Sequence, residues 1–488
     1  MSTHKLSKHA VGEADVARPG ATLSTAGLVF MIIAASAPLT VLAGGAPTSY
    51  AVSGLLGIPL GYVAIGLVLI LFSVGYARMS SEIQNSGAFY VYISHGLGLR
   101  QGIAAAILAL VSYNLMQIGL YGLFGFTSQI ALLELTGIDL PWWVMGGIGW
   151  VVVAVLGVNN IDFSAKVLGV IVALEFLVVG AFAVAGLIVA PEGITTHGWR
   201  ASEFLTPGVG VLLAFTMAAF MGFESGAIYS EETRDPERTV ARATYIAVSI
   251  VALFYAFSSW ALQVAVGHSS IVENAQQLGP DLVFDWIGRY SPALALVTNL
   301  LFITSLIAAL IAFHNAAARY FFSTGRAGVL PAAFSRINKA QAPVVGSACQ
   351  SVLSAVVVAI FALAGRGSEL GELFPVMTLF TWFTNAAALG LTFLVGVTSF
   401  AVCGWARRVH PEWGAFPRVV APVLAGVGMF AVTALILVNF NLMVDSENPV
   451  VVWVMPAVIV GSGVIGLIWG ALLMRTGDLG RLMPKDML

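Results

Sequence analysis

The run Gly27-Leu28-Val29-Phe30-Met31-Ile32-Ile33-Ala34-Ala35-Ser36-Ala37-Pro38-Leu39-Thr40-Val41-Leu42-Ala43 is almost wholly apolar and carries a proline past its middle. With its flanks, 23–46, it is long enough to cross a bilayer, which takes about 20 mostly apolar residues. Pro38 lacks an N–H and its ring clashes with the preceding turn, so the helix is predicted to kink or unwind at Ala34-Ala35-Ser36-Ala37-Pro38. Backbone freed at that depth persists only where it faces protein or a wet cavity. A second apolar run, 208–230, is interrupted by Phe220-Met221-Gly222-Phe223-Glu224-Ser225-Gly226, where two glycines flank a carboxylate.

Ten further apolar runs lie near 53–77, 102–132, 142–158, 164–190, 241–266, 293–324, 344–364, 374–402, 418–440 and 450–474, so twelve spans are expected. The interrupted runs are the first and the sixth, and each opens a block of five. An odd number of spans per block inserts the second block upside down relative to the first. Matching interruptions in two inverted halves are the best sequence pointer to a transporter site. A plain proline kink and glycines that permit tight helix packing are the structural alternative for each break taken singly.

Composition agrees. Of the 488 residues, 59% are hydrophobic and 9% charged, against roughly 25% charged in soluble domains. So few charges cannot cover a water-facing surface, and lipid is the expected solvent. The net charge of −2 and the lack of a basic run argue against a nucleic-acid partner. Cys349 and Cys403 lie in or beside apolar runs and form neither a disulfide framework nor a metal spacing. Residues 1–18 are polar, lack the apolar core of a signal peptide and read as a cytosolic tail. With the N-terminus inside, nineteen of the 22 lysines and arginines fall on the cytosolic side, leaving Arg200, Arg289 and Arg366 outside. Both termini are therefore expected in the cytosol of a multi-pass protein of the cell membrane.

Three stretches then carry a resemblance. They are Ser81-Glu82-Ile83-Gln84-Asn85-Ser86-Gly87-Ala88-Phe89-Tyr90-Val91-Tyr92; Gly222-Phe223-Glu224 followed by Glu231-Glu232-Thr233-Arg234-Asp235-Pro236; and Arg319 to Pro331, ending Gly325-Arg326-Ala327-Gly328-Val329-Leu330-Pro331. In order and spacing the chain resembles the amino acid–polyamine–organocation superfamily of permeases. The resemblance implies an all-α integral membrane protein with a LeuT-like fold. Its two inverted five-helix repeats would span 21–190 and 207–402, with two peripheral helices in 403–474 and tails at 1–20 and 475–488. It also implies alternating access, with the substrate's carboxylate and ammonium held at the broken parts of spans 1 and 6. Free N–H groups at a half-helix N-terminus suit an anion, and free carbonyls at a C-terminus suit a cation. The chain departs from the family in two places. Ala35-Ser36-Ala37-Pro38 stands where the family has Gly-Ser-Gly, and Glu175 stands where many proton-coupled relatives carry a lysine.

Glu175 and Glu224 are the carboxylates assigned to span interiors. An ionised carboxylate at such depth costs at least about 2.5 kcal/mol, so both are candidates for the coupling proton or for a gate, with local backbone capping as the alternative. The expected substrate contacts are Ala35, Ser36, Ala37, Pro38, Phe220, Met221, Gly222, Phe223 and Ser225 at the breaks. Tyr113, Asn114 and Gln117 would join them from span 3, and Thr381, Trp382 and Asn385 from span 10. Ser305 is a candidate to approach the first break; His314, nine residues on, points away from it. Each polar stripe could equally serve hydrogen bonding between helices.

The expected function is secondary active import of an amino acid or related small amine, coupled in the simplest scheme to protons, with an exchanger as the close variant. A channel finds no carbonyl-filter loop or acidic ring here, a pump no phosphate loop, and an enzyme no metal cluster or nucleophile–base pair. No cofactor is expected.

Overall fold

The computed structural model describes residues 23–476, except 84–86, 88, 160–164, 230–232, 234, 341 and 447. The two tails expected at 1–20 and 475–488 lie outside the described residues apart from Arg475 and Thr476. So do Gln84, Asn85, Ser86 and Ala88 of the first signature, and Glu231, Glu232 and Arg234 of the second.

Among the described residues, ten helices are long and apolar enough to cross a membrane. They are Thr25–Ser53, Ile58–Glu82, Leu99–Thr136, Gly169–Val189, Arg238–Val266, Pro292–Arg326, Val344–Ala364, Gly371–Val409, Phe416–Val438 and Pro449–Arg475. Two more of the expected spans appear as the shorter apolar helices Trp142–Val158 and Val209–Ala218. The second is short because the chain leaves helical geometry at Ala219. The chain is a multi-pass, all-helical membrane protein. The amphipathic connection 267–292 folds into two short helices, Ile271–Leu278 and Leu282–Gly288.

The 99–136 helix lies at the centre and packs against the 292–326, 381–409 and 449–476 helices. The 58–82 and 236–266 helices form another close pair. Gly66 permits it, because a Cβ there would stand 2.5 Å from the Ala252 methyl. Bulky apolar side chains on the 165–189 and 449–476 helices, such as Val170, Leu177, Ile465 and Trp453, are exposed, as lipid-facing positions should be.

One polar cluster ties the ends of two long helices together. His410 sits between Glu82 and Glu412, at 2.8 Å from each, and stacks on Trp413 at 4.3 Å. Desolvation of the imidazole is outweighed by its hydrogen bonds to Glu412 and Glu82, so its pKa is raised. A raised histidine pKa gives stability that is full below the unfolded value of about 6.5 and lost as pH rises through the folded value. Wild type should therefore melt above His410→Gln by a margin that is widest near pH 6 and closes toward pH 9. Thermal unfolding across that range checks this, and a margin independent of pH would contradict it.

Candidate functional site

The first break is a sharp one. The Thr25–Ser36 helix ends at Ala37, whose φ of 45° lies in the left-handed region, and helix resumes at Pro38. Pro38 takes the first position of the new helix, where its missing N–H removes nothing. The run continues to Ser53 through a π turn at Val41–Gly45. An L-residue in the left-handed region is strained by about 1–2 kcal/mol, and β-branching makes it worse. Ala37→Gly should therefore match or slightly exceed wild type in melting temperature, while Ala37→Val should lower it by several degrees. A valine variant as stable as wild type would refute the strain.

The second break is a run of turns from Ala219 to Glu224 between Val209–Ala218 and Ser225–Ile228. Gly222 has φ 103°, and a Cβ on it would lie 3.0 Å from the Ala35 carbonyl carbon and oxygen. The two interruptions, 187 residues apart in sequence, thus meet in direct backbone contact.

Protein groups bind the freed backbone at both places. Tyr255 donates its hydroxyl hydrogen to the Ser36 carbonyl at 2.8 Å, and Leu39 N–H donates to Glu175 Oε2 at 3.1 Å. Gly222 N–H donates to Glu224 Oε2 at 3.0 Å, and Tyr113 donates to Glu224 Oε1 at 2.9 Å. Both glutamates are buried. The Ser305 side chain lies beside the Glu175 carboxyl.

A cavity of about 600 Å³ reaches this junction. Ala35, Ser36, Ala37 and Met221 lie at its base, and Thr40, Gly44 and Thr48 line it along the resumed helix. Met116 and Leu120, Phe215, Phe313, and Phe380, Thr381, Thr384 and Asn385 form other walls. Gln276, Pro280, Asp445 and Ser446, from the connections 267–292 and 439–448, mark its mouth. On the opposite side of the junction the helices close over an aromatic layer. Phe72 packs on Tyr76 and Phe223, Tyr76 meets Tyr92 edge-on at 5.4 Å, and Tyr113 lies 5.2 Å from Tyr320. Tyr76 also donates to the Glu224 backbone carbonyl at 3.3 Å.

Of the expected contacts, Ala35, Ser36, Ala37, Met221, Thr381 and Asn385 line the cavity. Others turn elsewhere. Gln117 donates to Tyr121 and accepts from Gln350, bridging to the 344–364 helix, and Asn114 donates to Leu110. The 99–136 helix is rotated so that its Met116–Leu120 face, not its polar stripe, meets the cavity. Phe220 packs against Tyr62 and Tyr255, Trp382 against Phe361, and Phe223 joins the aromatic layer. Pro38, Gly222 and Ser225 shape the breaks without forming the cavity wall. His314 points away from the cavity to Ser347 at 2.8 Å and packs on Gly157. Thr40, Thr48 and Thr384 are cavity residues outside the expected contacts, though each is a polar residue in or beside an apolar run; Met116, Leu120, Phe215 and Phe313 carry no signal that separates a cavity wall from core.

A helical bundle whose two interrupted helices meet at the base of a cavity defines a membrane transporter rather than an enzyme. The family model described as amino acid permease matches residues 22–465, and the chain belongs to the amino acid permease family, within the amino acid–polyamine–organocation superfamily. It is similar to the aromatic amino acid transport protein AroP of Escherichia coli O6:H1, at 23% identity over 63% of this chain and 68% of that protein. The branched-chain amino acid permease BcaP of Lactococcus lactis subsp. cremoris is 23% identical over 63% of this chain and 69% of its own. The D-serine/D-alanine/glycine transporter of Escherichia coli O6:H1 is 25% identical over 46% of this chain, which spans about half (49%) of that relative's length. A crystal structure of the Eremococcus coleocola manganese transporter superposes with a TM-score of 0.54 at 15% identity, covering 96% of this chain and 99% of that one. That likeness is one of fold.

Proposed function

We propose that this permease is a secondary active transporter that imports an amino acid or related small amine by alternating access, driven by a proton gradient. The observation that carries the reading is the contact of the two interrupted helices, Gly222 against Ala35, at the base of the cavity. In this reading the twelve apolar helices form two inverted five-helix repeats, 21–190 and 207–402, plus two peripheral helices in 403–474. Both termini are cytosolic in the cell membrane, which puts the cavity mouth at 276–280 and 445–446 on the outside. The conformation is then outward-facing, with the aromatic layer of Phe72, Tyr76, Tyr92, Tyr113 and Tyr320 as the closed inner gate.

Glu224 suits the role of gate residue because its two carboxyl oxygens join the second break to Tyr113 on the 99–136 helix. Glu175 holds the first break to the 165–189 helix. Protonation of either would weaken one of these ties and couple proton uptake to movement of a broken helix. Purified protein in liposomes tests the function. Uptake of amino acids and amines should saturate with concentration and rise when the outside is made acidic. Uptake that requires substrate on the opposite side would instead make the protein an exchanger, and no saturable uptake of any of them would overturn the proposal.

A further inference from the structure

We infer that the permease reads its substrate by an ammonium group and leaves an α-carboxylate without a partner at the first break, with Glu175 as the residue that sets this preference. The inference rests on the reading of the cavity as the transport site.

A half-helix that starts beside a cavity offers an anion its first free N–H groups and the positive end of its dipole. Here the first three of those positions offer nothing free. The Ala37 N–H turns back to the Ala34 carbonyl, Pro38 has no N–H, and the Leu39 N–H is taken by Glu175. Glu175 is 2% exposed and comes from the 165–189 helix, so a carboxyl built into the fold already compensates the dipole of the resumed helix from behind the cavity wall. The second break repeats the arrangement, since the Gly222 N–H is taken by Glu224. Among the described residues, no lysine, arginine or histidine lines the cavity, and the one ionisable group that lines it is Asp445 at the mouth. A ligand carboxylate entering this space would lose its water and gain no cation. An ammonium finds acceptors in Thr48 and the Asn385 side-chain oxygen, and the Thr40 hydroxyl, buried and without a hydrogen-bond partner among the described residues, lies on a residue of the same wall. Two carboxyls behind the cavity and one at its mouth favour the same sign of charge.

Matched pairs that differ only by the α-carboxylate test this directly: ethanolamine against L-serine, and phenethylamine against L-phenylalanine. Each is titrated against the full-length protein in detergent by thermal shift, and in liposomes as a competitor of uptake. The amine of at least one pair should bind at least tenfold more tightly than its amino acid. Glu175→Ala, which uncovers the Leu39 N–H, should shift that ratio at least tenfold toward the amino acid. Glu175→Gln keeps an acceptor for Leu39, supports folding if the alanine variant fails, and should shift the ratio by less. Tighter binding of both amino acids than of both amines by wild type overturns the inference while leaving the transport function intact. So does an unchanged ratio in the glutamine and alanine variants. Binding of none of the four, together with no uptake of any amino acid or amine, would overturn the transport reading itself.

Discussion

Gly222→Ala is expected to reduce transport at least about tenfold, equivalent to about 1.4 kcal/mol in the limiting barrier. Two physical terms act together. The residue's φ of 103° is one that L side chains rarely adopt, and the added methyl would stand 3.0 Å from the Ala35 carbonyl. The neighbour is backbone rather than the end of a flexible side chain, so one of the two interrupted segments must move. Because they meet at the base of the cavity, movement there displaces Ser36 and Met221 from the wall they form. Initial rates of uptake, normalised to the amount of folded protein by size-exclusion profile, measure the effect. Gly461 in the 449–476 helix, where a Cβ would meet nothing within 4 Å and which does not line the cavity, is the control, and Gly461→Ala should stay well above the Gly222→Ala rate.

The second large effect is expected at Glu224, and which property is lost depends on the replacement. Glu224→Ala removes the acceptor for two buried donors, the Gly222 N–H and the Tyr113 hydroxyl. Each unpaired donor costs about 1–3 kcal/mol, so the alanine variant should be destabilised by roughly 2–6 kcal/mol and recovered poorly. Glu224→Gln should fold, since its amide oxygen can accept from Gly222 while its NH₂ donates to Tyr113, whose hydroxyl can also accept. If Glu224 takes up the coupling proton, the glutamine variant should still equilibrate substrate but fail to accumulate it against a gradient. Accumulation equal to wild type in both Glu224→Gln and Glu175→Gln would exclude these two residues as proton carriers.

The membrane-spanning plan was readable in the sequence because lipid imposes it on composition. Length and apolarity alone placed the helices, and Pro38 and Gly222 marked the interruptions since each alters what the backbone can do locally. The matching interruptions pointed to one transporter site; that they touch, Gly222 against Ala35, is what the structure adds. Side-chain direction was less legible. Tyr113, Asn114 and Gln117 form one polar stripe, yet Gln117 bonds Gln350 on a neighbouring helix while apolar Met116 and Leu120 face the cavity. Within a membrane bundle, polar groups satisfy one another wherever helices meet, so polarity does not distinguish a cavity wall from a helix interface. The partners of the glutamates were hidden for a related reason. Leu39 and Gly222 answer Glu175 and Glu224 through backbone N–H groups, which have no residue signature.

Accessibility of the cavity base tests the central claim most directly. In a background with Cys349 and Cys403 replaced by serine, a single cysteine at Ala219, a wall residue beside Met221, is exposed to a membrane-impermeant thiol reagent added outside. The account predicts that the reagent reacts from the outside, that it blocks uptake, and that a saturating transported amine protects the thiol. A cysteine there that reacts only from the inside, or that reacts equally fast with and without saturating substrate, would contradict it.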